Sequence, residues 1–175
     1  STLTVVSPDM GRVRVADIDP EQQQRWIDDA SARTAGYHLV GWVGMCPDEY
    51  AEPLAGALAA MVDAPLDDID WVPQSLTPEQ VRDRLRTADR EGFDVVTLLA
   101  LAPDGSAAGV TQLFASRLRP SLGRQGDTGV VASHRGHGLG RWLKAENLRR
   151  ALDHQPAIEV IETYTKAIAD ALDVR

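Results

Sequence analysis

"GVVASHRGHGLGRWLKAENL", Gly129 to Leu148, is the stretch on which the reading of this chain turns. A short apolar run enters a loop with glycines at 136, 138 and 140, and the loop leads into a periodic segment. Leu139, Trp142, Leu143, Ala145, Leu148 and Leu152 fall at helical spacing, which predicts a helix from about Leu139 to Leu152. The first N–H groups of a helix have no partner within it and carry partial positive charge. Glycines ahead of such a terminus let an anion approach the backbone without obstruction by a Cβ. Arg135 and Arg141 add fixed positive charge, and His134 and His137 can donate hydrogen bonds. That chemistry suits a pyrophosphate.

Working outward, "GRVRVADI" alternates like a strand, and "DPEQQQRWIDDASA" starts a helix, with Asp19 as cap, Pro20 at the first position and Gln22 completing a capping box. "GYHLVGWVG" (36–44) is a strand. In the next helix Leu54, Ala55, Leu58 and Met61 share a face, and Pro53 is expected to kink or restart it. "TPEQVRDRLRTADREG" repeats the start signal with Thr77, Pro78 and Gln80, and its inner stripe is Val81, Leu85 and Ala88. The strands "FDVVTLLAL" and "AAGVTQLFASRL" flank a "PDGS" hairpin turn. After a polar loop, "GDTGVV" (126–131) is a short strand; beyond the glycine-loop helix come the strand "AIEVIETYT" (157–165) and the short helix "KAIADAL". From residue 36 the order is strand, helix, helix, three strands, helix, strand, helix. This predicts an α/β (α+β) architecture: a mixed central β-sheet flanked by helices, with the glycine loop after the fourth core strand.

The bulk numbers bound the function. The 175 residues fit one domain or one domain with an appendage, and 43% are hydrophobic, enough for a core. The net charge of −8 argues against a general nucleic-acid binder, which needs a basic face; "HRGHGLGR" is a basic island in an acidic chain. With Cys46 alone, no intrachain disulfide forms. No apolar run approaches the ~20 residues of a membrane span, and the N-terminus has no signal-peptide core. A cytoplasmic protein without membrane contacts is expected.

Three phosphate loops compete. A nucleotide P-loop ends in Gly-Lys-Ser/Thr, whereas this one ends Leu139-Gly140-Arg141. A dinucleotide fingerprint reads G-x-G-x-x-G near the start of a βαβ unit, whereas this loop reads G-x-G-x-G and follows a hairpin. The third is matched: Arg135, Gly138 and Gly140, with Val130 five residues before the arginine, resemble motif A of the GCN5-related N-acetyltransferases, Arg/Gln-x-x-Gly-x-Gly/Ala. The element order from Tyr37 to Ala171 is similar to that family. "GYHLVGW", "CPDE", "DAPLDDIDW", "HRGHGLG-x-x-LK-x-x-N" and "IETY" resemble one half of the tandem acetyltransferases common in actinobacteria, the plan of mycothiol synthase.

The resemblance implies acetyl-CoA as acyl donor and a primary amine of a small molecule as acceptor, joined by direct attack without a covalent enzyme intermediate. It implies that the strand "GDTGVV" splays from the 157–165 strand, leaving a gap for the pantetheine arm. Main-chain groups of Val130, Val131 and Ala132 would bond the arm, and Arg135, Gly136, His137, Gly138, Leu139, Gly140 and Arg141 would hold the pyrophosphate. An N–H near Val130 would polarise the thioester carbonyl. Asp127 on the cofactor strand, and Glu162 and Tyr164 on its neighbour, are the catalytic candidates; the alternative is that Asp127 holds the loop and Glu162 is solvated.

The chain departs from the family pattern at its end. Thr165 stands where Asn is usual, "KAIADALDVR" is shorter than expected, and the two closing strands are missing, so the alternative function is a catalytically silent domain that binds acyl-CoA or supports a partner domain. Residues 1–33 read either as the end of a preceding domain with its linker or as an N-terminal strand and helix packed on residues 34–175, the acetyltransferase-like domain. A homodimer and a tandem partner domain are both compatible with the resemblance. Three further features have weaker readings. His134-x-x-His137 lacks the additional ligands of a metal site, and no metal is expected. Cys46 before Pro47 is a candidate nucleophile or a small packing residue. Asp63, Asp67, Asp68 and Asp70 form either a cation-attracting border of the acceptor site or a solvated loop.

Overall fold

The computed structural model describes residues 11–62 and 76–163, side chains of 61 and 62 excepted. Its centre is a six-stranded sheet in the order β1-β6-β5-β4-β3-β2. The strands are β1 (Gly11–Arg14), β2 (His38–Val43), β3 (Phe93–Leu101), β4 (Ala107–Ser116), β5 (Leu122–Val130) and β6 (Val160–Thr163). All neighbours are antiparallel except β5 and β6.

Strand β3 shows how the layers arise. It is buried on both sides, and successive side chains point to opposite faces. Val95, Leu99 and Leu101 pack with α2 (Ala51–Val62) and α3 (Pro78–Arg90). Val96 joins the cluster of Leu148 and Ala151, while Leu98 and Ala100 join that of Leu139, Trp142, Leu143 and Ala30. These last clusters belong to α4 (Leu139–His154) and α1 (Pro20–Arg33). The sheet is thus covered by α2 and α3 on one face and by α4 and α1 on the other.

Local chemistry sets most helix starts as the sequence predicts. Thr77 Oγ1 accepts from the Gln80 N–H while Gln80 Oε1 accepts from the Thr77 N–H, a complete capping box. At α1, Asp19 caps by accepting from the Glu21 N–H, but the expected box is not formed; Gln22 instead accepts from Arg25. Pro53 does not kink α2. A 3₁₀ turn over Asp48–Tyr50 precedes it and α2 begins at Ala51, so Pro53 falls in the first turn, where an N–H is not needed.

The largest departure is at β5. The stretch before Gly126 has little apolar character, yet the strand starts at Leu122 rather than 126 and ends at Val130 rather than Val131. Gln125 explains it. Its side chain is buried, and Nε2 lies within bonding distance of Thr111 Oγ1, Gln112 O and Thr128 Oγ1. Opposite it, the register with β4 slips between Thr111 and Leu113, so Gly126 and Asp127 form a bulge. A Cβ on Gly126 would run into the Phe114 ring.

Strand β1 pairs with β6, Arg12 opposite Glu162, and α1 packs along α4, so both join the same sheet and layer as the rest. Strand β6 starts at Val160 rather than 157; the "KAIADAL" segment and Thr165 lie outside the described residues. No helix among the described residues is long and apolar enough to cross a membrane.

Candidate cofactor and acetyl-transfer site

Strands β5 and β6 run parallel and pair only from Leu122↔Val160 to Arg124↔Glu162. Past that point β5 continues to Val130 along β4 alone. The described pairing therefore stops short of the Gly126–Asp127 bulge; β6 is described only to Thr163, and among the described residues none pairs with β5 from Gly126 to Val130 on that side. A splay of the two strands at this place is what the family resemblance implies.

The glycine loop follows the far end of β5. A 3₁₀ turn over Ala132–His134 leaves β5, and α4 starts at Leu139 with Gly138 as cap residue. Gly136 and Gly138 have φ of +89° and +78°, the left-handed region open to glycine, and a Cβ at either would meet nothing within 4 Å. Among the described residues, nothing fills the space beside these two glycines. No N–H from Gly136 to Arg141 donates to a backbone carbonyl among the described residues; the first to do so is Trp142, to Gly138. No side chain caps the helix. Arg135, His137 and Arg141 are exposed around these donors, and neither arginine has an ion-pair partner among the described residues. Gly140 has ordinary helical backbone, and a Cβ there would make only a normal contact with Val130, so it is not needed for the loop's conformation.

A residue not singled out in the sequence braces this turn. Tyr37, just before β2, bonds His134 Nδ1 through its hydroxyl at 2.8 Å and lies edge-on to that ring. Only the tertiary fold brings it there. His134 is thereby committed to the turn, and among the described residues no group of three His, Cys, Asp or Glu could hold a metal.

The main-chain candidates separate. The Val131 N–H donates to Ala108 and its carbonyl accepts from His134, so Val131 is withdrawn as a contact for an arm in the gap. Val130, one residue earlier on the strand, turns its N–H to the opposite side, where no described residue pairs with it. Its carbonyl accepts from Arg135 Nε at 3.2 Å, which fixes the arginine beside the loop. The Ala132 carbonyl accepts only a long bond from the Arg135 N–H, 3.4 Å.

The acid–base candidates are dispersed. Asp127 is exposed on the bulge, at the rim of a cleft of about 280 Å³ that includes Phe93, Phe114, Arg124 and Glu91. Glu162 is not solvated. Arg12 at 3.3 Å and Arg124 at 3.2 Å both bond it, and its side chain is 14% exposed. Oε1 accepts from Arg12 and Oε2 from Arg124, so both carboxylate oxygens are engaged. Tyr164 and the acids Asp63, Asp67, Asp68 and Asp70 lie outside the described residues. Cys46 is a packing residue: burial pushes its thiol up to about 11, and Sγ donates to the Pro47 carbonyl. A thiolate nucleophile is not favoured there.

The parallel β5–β6 pair, the β5 bulge and the glycine loop at the start of α4 define a class. The chain has the GCN5-related N-acetyltransferase fold and belongs to that superfamily. Two solved members show the same fold at low identity. One is the ribosomal-protein-alanine N-acetyltransferase of Brucella melitensis, with TM-score 0.52 and 20% identity over 75% of this chain and 80% of that one. The other is yncA of Salmonella typhimurium, solved with its cofactor acetyl-CoA, with TM-score 0.50 and 15% identity over 76% of each chain. The chain is also similar to a tandem GNAT protein from the clavulanic acid biosynthesis pathway, with TM-score 0.71 and 25% identity over 94% of this chain. It spans 48% of that protein's length, about one of its two halves. No protein-family model matches the chain, and no curated protein matches it.

Proposed function

We propose that this chain binds acetyl-CoA in the β5–β6 gap and on the glycine loop, and transfers the acetyl group to a primary amine of a small molecule. The observation that carries the proposal is the row of N–H groups from Gly136 to Arg141 without backbone partners, at the positive end of α4, with two unpaired arginines beside it. Such a row suits a diphosphate, and the left-handed glycines leave room for it. The donor supplies an activated acetyl group: amine nitrogen bonds to the thioester carbonyl carbon, and the C–S bond breaks to release CoA.

The residues of the chain have separate tasks in this scheme. Gly136 to Arg141, with Arg135 and Arg141, hold the diphosphate. The Val130 N–H, facing the gap, donates to the carbonyl oxygen as charge gathers there. Asp127, exposed beside the bulge, accepts the ammonium proton of the acceptor, directly or through water. Glu162 positions Arg124 and Arg12 rather than taking a proton.

Calorimetric titration with acetyl-CoA tests the binding half. Micromolar affinity in the wild type, lost in Arg135→Ala with Gly138→Asp, is the expected result; a folded wild type that binds no CoA overturns the proposal. One observation favours a second reading, a silent domain that binds acyl-CoA beside an active partner domain: the engagement of Glu162 by two arginines leaves Asp127 as the sole described acid at the bulge. Acetyl-CoA binding with no turnover of any amine supports that reading. The tandem arrangement of the similar protein makes a partner domain, in the same chain or as a second copy, part of this proposal.

A further inference from the structure

The chain's N-terminal helix reaches the mouth of the glycine loop. Helix α1 packs along α4, and its last two turns form one wall of a cleft of about 210 Å³. Trp26, Asp29 and Arg33 come from α1; His137, Gly138 and Arg141 come from the loop and the start of α4. The cleft is therefore continuous with the row of free N–H groups.

Its chemistry is specific. The Arg141 guanidinium carbon lies 5.0 Å from the centre of the Trp26 ring, so the indole is an available flat platform in contact with the loop's own cation. Arg33 is exposed and has no ion-pair partner among the described residues. An aromatic face and two free guanidiniums gather on a chain of net charge −8. Asp29, one turn before Arg33, is the acceptor of the set and suits an amino group or a ribose hydroxyl. Nothing in the packing of α1 calls for this set: the helix is fastened to the core through Ala30 and Ile27 instead.

We infer that this cleft is the subsite for the nucleotide end of CoA, with the purine on Trp26 and the ribose 3′-phosphate on Arg33. The inference rests on the glycine loop holding the diphosphate, because the adenosine leaves that diphosphate directly. It gives β1–α1 a place in the binding site of the domain it packs against. Arg33 is then a specificity residue and Trp26 a stacking residue.

The experiment is a titration series with CoA, 3′-dephospho-CoA and adenosine 3′,5′-bisphosphate. The wild type should bind CoA about 10-fold more tightly than 3′-dephospho-CoA, the worth of one charge-assisted contact. Arg33→Gln should erase that preference and leave 3′-dephospho-CoA binding unchanged. Trp26→Leu should weaken all three ligands by roughly 5-fold to 10-fold while preserving the preference. Arg25→Gln, an exposed arginine elsewhere on α1, should change none of these and so controls for net charge.

The outcomes separate the two claims. If CoA binds the wild type and the preference is absent, or survives Arg33→Gln, the subsite is wrong and the glycine-loop proposal stands. If neither CoA nor adenosine 3′,5′-bisphosphate binds a folded wild type, both fall. Either variant is checked for folding by its thermal midpoint; partial restoration of the preference by Arg33→Lys guards against a merely structural effect.

Discussion

The two ends of the β5 segment, the bulge and the glycine loop, are built on opposite principles. At the loop end, among the described residues, the backbone N–H groups from Gly136 to Arg141 lack backbone partners and their arginines lack acids. At the bulge end, two central polar side chains are engaged: Gln125 is held by Thr111, Gln112 and Thr128, and Glu162 by Arg12 and Arg124. Unsatisfied groups mark where a ligand belongs, and satisfied ones mark where the fold holds itself in shape. The open end reads as a binding site by its deficits. The bulge end holds the register of β5 against β4 at a fixed place, and Asp127 there remains exposed.

The largest expected effect breaks the open end. Gly138→Asp puts a carboxylate in the cradle and forces a left-handed φ on a side chain. CoA affinity should fall by about 100-fold or more, while the cost in stability stays near 1–2 kcal/mol, read by calorimetry and urea unfolding. Breaking the closed end should do the reverse. Gln125→Leu removes the donor shared by buried Thr111 and half-buried Thr128, which keep only their bond to each other, and should cost roughly 1–2 kcal/mol of stability. If it left stability unchanged, the network would not be what sets the bulge.

A third test uses pH. Glu146 on α4 is buried, which alone would raise its pKa, but Arg149 and Arg150 hold it below the ordinary 4.5. A lowered carboxylate adds stability that is present above its unfolded value and lost as pH falls through the folded value. Wild type should therefore exceed Glu146→Gln by about 1 kcal/mol at neutral pH, and the gap should close toward pH ~3. An unchanged gap across that range would contradict the ion-pair account.

Smaller effects sharpen the comparison. Glu162→Gln should lower stability by less than ~1 kcal/mol and change turnover by no more than about 3-fold, since its place is between two arginines. A drop of 100-fold or more at constant CoA affinity would restore Glu162 as a proton acceptor. Smallest of all is Gly140→Ala, whose Cβ would sit at an ordinary distance from Val130; CoA affinity and stability should both stay within about 0.5 kcal/mol. That outcome would show that the loop needs glycine where φ is positive and not merely where the motif has it.

The sequence by itself determined the elements whose chemistry is local. The capping box at Thr77, the hairpin at Asp104–Gly105 and the strand–glycine loop–helix order all follow from neighbours a few residues apart, and the structure has them. The gap and the loop's position at its end followed from the family resemblance. What tertiary structure decided depends on residues far apart in the chain. Gln125 makes a strand of a polar stretch because threonines on β4 and β5 satisfy it; Glu162 loses its freedom because Arg12 arrives from the other end of the chain; Trp26 and Tyr37 reach the loop across roughly a hundred residues of sequence. A periodic pattern reports which face of an element is buried. It does not report what polar side chain meets another across the sheet, and here those meetings decide which candidate groups are free to act.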